Sequence, residues 1–382
     1  MNLIEALTGW AGSLGGYIVP FLFVLVIVIF IHEFGHFIVG RWCGIKVQAF
    51  SIGFGPELLG YTDGRGTRWK LCAIPLGGYV KFFGDSGAAS TPDGSALRQM
   101  TPAEKAVSFH YQPVWKRAAV VAAGPLANFI LAIVVFTVMN LAYGRQVVVP
   151  RIFQVVEGSA AQRAGLVDND LVLSINGQPI DSFGDMQRLI STSPGSTLAI
   201  VVERGGKELT VRATPELKEI TTPFGKQRLG ILGVQGSRDP ADVKVEKLGF
   251  VASLKGGVSE TWFIVDRTGA YIGGLFAGTE STDQLSGPIR IAQVSGQVAT
   301  AGIVALLNLA AILSVSIGLI NLVPVPLLDG GHLMFYAFEA VRGRPLSERT
   351  QEFGFRVGLA LVVMLMLFTT FNDVLHLVGS RG

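Results

Sequence analysis

Four stretches of this chain, residues 17–39, 118–141, 303–325 and 357–378, are too apolar and too long to be handled by water alone. A helix of roughly 20 apolar residues crosses the ~30 Å hydrocarbon layer of a bilayer, and each stretch meets that length. Charged residues make up 15% of the 382 positions and hydrophobic ones 49%, whereas a soluble domain carries about 25% charged residues. The sequence therefore predicts a membrane protein with four transmembrane α-helices. A fifth apolar stretch, residues 248–277, carries Lys255, Glu260, Asp266 and Arg267 at intervals that would put charge into hydrocarbon, so it reads as a surface or interfacial helix.

Lys and Arg fall unevenly between these spans. The tail before the first has none. The segment between the first two holds Arg41, Lys46, Arg65, Arg68, Lys70, Lys81, Arg98, Lys105, Lys116 and Arg117, and the link before the last holds Arg342, Arg344 and Arg349. Positive charge stays on the cytoplasmic side. Both termini and the long segment 144–301 then face the opposite compartment, and the first span, without a basic leader or small-residue cleavage site, reads as retained. The formal charge of +3 does not call for a nucleic-acid partner. Cys43 and Cys72 both fall in the cytoplasmic segment and read as free thiols.

Between the first two spans, residues 45–83 alternate short β-branched runs with Gly, Pro and Asp-Gly, the pattern of β-hairpins. Residues 84–112, rich in Ser, Thr, Pro, Gly and Ala, read as an exposed loop. From Val148 to Pro215 the pattern is short strands, one helix and tight turns. Ser159 through Gly177 resembles the signature of a PDZ domain: a short helix closing at Gly165, a strand pointing Leu171, Leu173 and Ile175 inward, and a tight Asn176-Gly177 hairpin.

The chemistry lies in His32-Glu33-Phe34-Gly35-His36, at the end of the first span. Positions i and i+4 share a helix face, so two imidazoles can meet one metal with Glu33 beside it. Ionisable groups in a span face a bundle interior or a water-filled cavity and mark function. Catalytic zinc takes three protein ligands and keeps a fourth position open. Outside the motif stand His110, His332 and His376, but the third ligand is better sought in Asn321 through His332, where Pro324 and Pro326 break the helix and Asp329-Gly330-Gly331 can turn a carboxylate back toward the first span. A zinc transporter would have no use for Glu33 inside this motif and would be expected to show an inverted repeat, which is not seen. A PDZ-bearing membrane scaffold would leave the spans unexplained.

Taken together, the HExxH motif, Gly124 through Asn128 in the second span, the PDZ signature, Leu285-Ser286-Gly287-Pro288-Ile289 and Asn321 through Gly331 resemble the site-two protease family of intramembrane zinc metalloproteases, in particular its bacterial RseP-type members. The resemblance covers almost the whole chain. It implies Zn²⁺ on His32, His36 and Asp329, with Glu33 as catalytic acid and base. It also implies a membrane-associated β-hairpin region lining the site and one inserted α+β PDZ domain, with Asn128, Asn321, Gly78 and Ser51 as supporting or substrate-binding candidates. The partners implied are membrane-spanning signalling proteins such as anti-sigma factors, already trimmed outside by another protease, with remnant signal peptides as further substrates. The setting implied is the bacterial inner membrane, with both termini and the PDZ domain periplasmic. Two features depart from the family pattern: one PDZ domain where some members have two, and Ser316 where relatives commonly have asparagine.

The expected order is 1–47, first span with HExxH; 48–116, cytoplasmic-side hairpin and loop; 117–143, second span; 144–218, PDZ domain; 219–301, linker and interfacial helices; 302–341, third span with the Leu328-Asp329-Gly330-Gly331 motif; and 342–382, link and fourth span.

Overall fold

A computed structural model describes residues 3–87, 94–222, 225–237, 242–278, 280–282 and 285–379. Residues 88–93, part of the expected loop, and Gly382 lie outside the described residues. The chain divides into two compact units, Met1–Thr137 with Leu254–Gly273 and Ser286–Gly382, and Val138–Ser253 with Gly274–Leu285. Among the described residues, four helices are long and apolar enough to cross a membrane: Gly15–Trp42, Val114–Tyr143, Ile303–Asn321 and Arg349–Leu375.

The first unit opens with α1 (Leu3–Trp42), followed by the strands β1 (Val47–Thr62) and β2 (Arg68–Phe82) and the short helices α2 (Gly94–Gln99) and α3 (Pro102–Val107). β1 and β2 pair antiparallel but are bent, so that Phe50 faces both Val80 and Trp69, and the first half of β1 lies between two stretches of β2. Gly53 permits the bend: its φ is +85°, and a Cβ there would stand 2.7 Å from the Ile74 carbonyl oxygen. The turn is fastened to the end of α1 by the Arg41–Asp63 ion pair. Burial works against charge on Asp63, but the Thr67 N–H, Trp69 Nε1–H, the Arg41 guanidinium and the Arg65 N–H outweigh it and hold the carboxyl well below its usual range.

The stretch expected as an irregular loop is more ordered than its composition suggested. Thr101 and Glu104 close a reciprocal capping box at the start of α3. Phe109 is buried and stacks on Phe82 at 4.9 Å. Cys43 and Cys72 are both free.

α4 (Val114–Tyr143) begins in the first unit and α7 (Phe250–Ala277) runs largely within it; α8 (Pro288–Ala299), α9 (Ile303–Asn321), α10 (Asp329–Arg342) and α11 (Glu348–Gly379) complete it. Ala132 and Phe136 of α4 pack on Ala311 and Val315 of α9, with Ile264 and Val265 of α7 against them. The buried Asp373 of α11 accepts the N–H groups of Gly287 and Arg290, both at 3.0 Å, and so caps the start of α8. Within 302–341, the span expected over 303–325 ends four residues earlier, and the motif that follows it opens a separate helix. α9 stops at Asn321, and α10 starts afresh at Asp329, because the two prolines at 324 and 326 remove N–H donors that a continuous helix needs.

The second unit holds β3 (Arg145–Val148), β4 (Ile152–Val155), α5 (Ala160–Arg163), β5 (Leu171–Ile175), β6 (Gln178–Pro179), α6 (Phe183–Ser191), β7 (Leu198–Arg204), β8 (Lys207–Ala213), β9 (Glu216–Thr222), β10 (Gly225–Ile231), β11 (Val234–Gly236) and β12 (Val243–Glu246). Its main sheet has the order β6-β5-β7-β8, antiparallel throughout. Asn176 and Gly177, at φ 51° and 79°, form the two-residue turn between β5 and β6. The expected alternation in β5 is corrected: Val172 and Ile175 are the buried residues, while Leu171 and Leu173 are half-buried. A register shift between Val172 and Ser174 inserts one residue and switches faces. The boundary expected at residue 218 is also too early, since β11 pairs with β4 and β12 with β3. These returning strands are three and four residues long, too short to leave a periodic signal.

Candidate metal centre

His32, Glu33 and His36 sit on one helix, α1, and Gly35 between them is what lets α4 approach. A Cβ on Gly35 would stand 2.3 Å from the Ala123 carbonyl oxygen, inside any allowed contact. The approach delivers two polar partners to the imidazoles. His36 donates from Nδ1 to the Val120 carbonyl at 2.9 Å, which leaves its Nε2 as the lone-pair nitrogen of the neutral ring. His32 Nδ1 lies 3.2 Å from the fully buried amide of Asn128. The Asn128 Oδ1 has no partner; a half-turn of that amide presents the oxygen to His32 Nδ1–H and fixes the matching tautomer.

The third group comes from the break between α9 and α10. Residues 322–328 are irregular, and Leu327 holds a φ of 95°, a conformation that costs a side-chain-bearing residue about 1–3 kcal/mol. Gly330 and Gly331 pack so tightly on this loop that a Cβ would meet the Leu322 and Val325 carbonyl oxygens at 2.2 and 2.4 Å. The result is that Asp329, first residue of α10, stands 3.2 Å from His32 Nε2 through Oδ2 and 3.5 Å from His36 Nε2 through Oδ1. The two Nε2 atoms are 3.3 Å apart. All three donor groups fall within 4.8 Å of one another.

These distances fit a cation. Bonds of about 2.0–2.1 Å in a tetrahedron put neighbouring donors about 3.3–3.4 Å apart. Asp329 Oδ2 is buried without a hydrogen bond, although His32 Nε2 is near; lone pairs converging on a shared centre leave an oxygen in that condition. Two imidazoles and one carboxylate form a set that suits zinc.

Glu33 lines the same cavity, of about 180 Å³, with Gly78, Tyr79, Phe82, Val121 and Leu328 among its walls. Gly78 is pressed against Glu33: a Cβ there would lie 2.8 Å from the glutamate Cγ and 2.8 Å from the Ser51 carbonyl. Asn321 also lines the cavity. Ser51 does not belong with these residues. It is fully buried between strands and donates to the Gly53 carbonyl at 3.0 Å, because the bend in β1 turns its side chain inward. His332 lines the cavity outside the three-donor group and packs its ring on Phe355 at 5.3 Å. His110 is bonded to Asp85 at 2.8 Å. The side chain of His376 lies outside the described residues.

The sequence alone gives no role to Gly35, Gly124 or the Val120 carbonyl. A signal existed for the glycines, since Gly inside a helix costs roughly 1 kcal/mol against Ala and wants a reason. The carbonyl had none, because every residue carries one.

The description of peptidase family M50 matches residues 20–365. The chain is 50% identical over 380 residues to a protein of Agrobacterium fabrum named “Putative zinc metalloprotease”, covering 99% of this chain and 100% of that one. A protein of Rhizobium meliloti bearing the same description is 50% identical over 365 residues, 95% and 98% of the two chains. Metalloprotease MmpA of Caulobacter vibrioides is 39% identical over 380 residues, 94% and 95% of the two.

Proposed function

The chain belongs to peptidase family M50 and is a zinc metalloprotease, and from that premise we propose that it cuts membrane-spanning segments of other proteins at a site made by His32, His36, Asp329 and Glu33. The observation that carries this reading is the meeting of three lone-pair donors from α1 and α10 around an unpartnered Asp329 oxygen. His32, His36 and Asp329 hold the metal, and α4 orients both imidazoles through Val120 and Asn128. Bound zinc supplies a Lewis acid that polarises the scissile carbonyl and acidifies water. Glu33 takes the proton from the attacking water and returns it to the departing amine. In this reading Asn321, on the cavity wall, steadies the carbonyl oxygen, while the buried Asn128 supports His32. A membrane helix hides its peptide bonds in its own hydrogen bonds, so the substrate unwinds before attack. Residues 78–82 of β2 can hold the unwound segment by strand addition, with Gly78 letting this strand lie directly against Glu33.

The substrates in this reading are signalling proteins of the inner membrane, such as anti-sigma factors, after a first cut outside, together with remnant signal peptides. The second unit is read as a PDZ domain, supported by the helix closing at Gly165, the positive φ of Asn169 and Asn176, and the four-stranded sheet. Its role is admission, by excluding bulky outer domains rather than by capturing a new carboxylate terminus. The full-length chain, given one substrate in trimmed and intact forms, is expected to cut the trimmed form much faster, and a chelator should stop the reaction until zinc is restored. Equal rates on both forms would remove the admission role, and cleavage that ignores the chelator would remove the zinc mechanism.

The Lys and Arg asymmetry places Thr91 and Arg344 in the cytoplasm and Gly206 and the C-terminus across the membrane. Reporter fusions at these four positions are expected to divide accordingly. A cytoplasmic signal at Gly206 would overturn the topology.

A further inference from the structure

A second concavity lies between α4 and α10, away from the three donors: an open, apolar groove of about 520 Å³. Trp115 and Ala118 line it from α4, and Leu333, Tyr336, Ala337 and Ala340 from α10. The α10 residues fall at i, i+3, i+4 and i+7, one face of a helix. Trp115 is 65% exposed, so this indole borders the groove without being covered by the protein.

The rim is cationic. Lys116 holds its ammonium 5.8 Å from the Trp115 ring centroid and donates to the Cys43 carbonyl at 3.0 Å and Gln112 Oε1 at 3.2 Å. An ammonium has three N–H groups, so one remains for a ligand. Arg117 lies over the Tyr336 ring at 4.9 Å and is engaged by both oxygens of Glu339, at 2.6 and 3.1 Å, so that pair braces the groove wall and is neutral as a unit. α10 ends at Arg342, and the exposed Arg344 follows. Arg342 and Arg344 stand two and four residues beyond Ala340 of the groove, so the charge left beside the neutral Arg117–Glu339 pair at this end of α10 is positive. By the Lys and Arg asymmetry this is the cytoplasmic end, where the leaflet is rich in anionic lipid.

We propose that the α4–α10 groove seats an anionic phospholipid, with an acyl chain along its apolar floor and the phosphate at the cations of its rim. The charge selects this occupant over a substrate helix, because an apolar span has no anion for Lys116, Arg342 and Arg344 to meet. Lipid in this seat rests on α10, the helix that begins with Asp329.

The test uses the full-length protein in micelles doped with equal phosphatidylglycerol and phosphatidylcholine of identical chains, with bound lipid counted by native mass spectrometry. Phosphatidylglycerol is expected to be retained preferentially. Lys116→Gln and Arg344→Gln are each expected to reduce the preference about fivefold, from roughly 1 kcal/mol per basic residue. Ala337→Trp fills the floor and is expected to lower retention of both lipids, with zinc content at the wild-type level in every variant as the control for folding. Equal retention of the two lipids by wild type, or an unchanged preference in Arg344→Gln, whose exposed site cannot disturb the fold, would overturn the proposal. So would a photo-crosslinker at Ala340 that captures a membrane-protein substrate and no lipid.

Discussion

Glu33→Gln is expected to abolish cleavage while leaving zinc bound. The substitution keeps the shape of the side chain against Gly78 and removes only its capacity to accept and return a proton. General acid–base groups contribute roughly 10²- to 10⁴-fold to rate, so the loss should approach that range or exceed it. His32→Ala and Asp329→Ala are expected to lose metal and activity together, because each removes one of three converging donors. His332→Ala separates the two candidate third ligands: its ring packs on Phe355 outside the donor group, so zinc content should stay near wild type. Zinc measured per chain, alongside cleavage of a trimmed substrate, reads all four variants. Normal cleavage by Glu33→Gln would reject the mechanism, and an empty site in His332→Ala would reject Asp329 as the ligand.

Gly124→Ala should weaken metal binding at the centre without unfolding the chain. A Cβ on Gly124 would lie 2.3 Å from His36 Nε2 and 3.0 Å from His32 Cε1. The clash falls on side-chain rings rather than on backbone, so the imidazoles move while the helix stays. His36 cannot move and also keep its bond to the Val120 carbonyl and its approach to Asp329. Overpacking of this kind costs about 1–3 kcal/mol, which is about 5- to 150-fold when charged to metal affinity. Gly269→Ala, with nothing within 4 Å of the added carbon, serves as the control for a helix glycine. Retention of zinc by Gly124→Ala at wild-type affinity would show that α4 does not shape the site.

Between α9 and α10 local pattern stops being informative. Hydropathy continues past Asn321, so the sequence suggested a span reaching Val325. The helix ends where the prolines make it end, and the loop after it is fixed by non-local packing: Gly358 of α11 is so close to the Pro326 carbonyl that no Cβ would fit. The same limit appears in β5, where the register shift reassigns the buried face to Val172 and Ile175. It appears again at Ser51, whose side chain points inward because β1 is bent between two stretches of β2.

What the sequence determined by itself is everything carried by composition and short spacing. Apolar length sets the four membrane-length helices, because hydrocarbon accepts a helix by length and hydropathy alone. A four-residue interval puts His32 and His36 on one face, because helix geometry is local. The tertiary structure alone decided which carbonyl orients His36, which amide meets His32, and how Asp329, nearly three hundred positions along the chain, comes within 3.2 Å of His32. The first two depend on α1 and α4 closing to contact at Gly35 and Gly124, and the third on the loop packed against Gly330 and Gly331. Such closeness is a property of packed surfaces, and no residue's own type or interval records which surface it will meet.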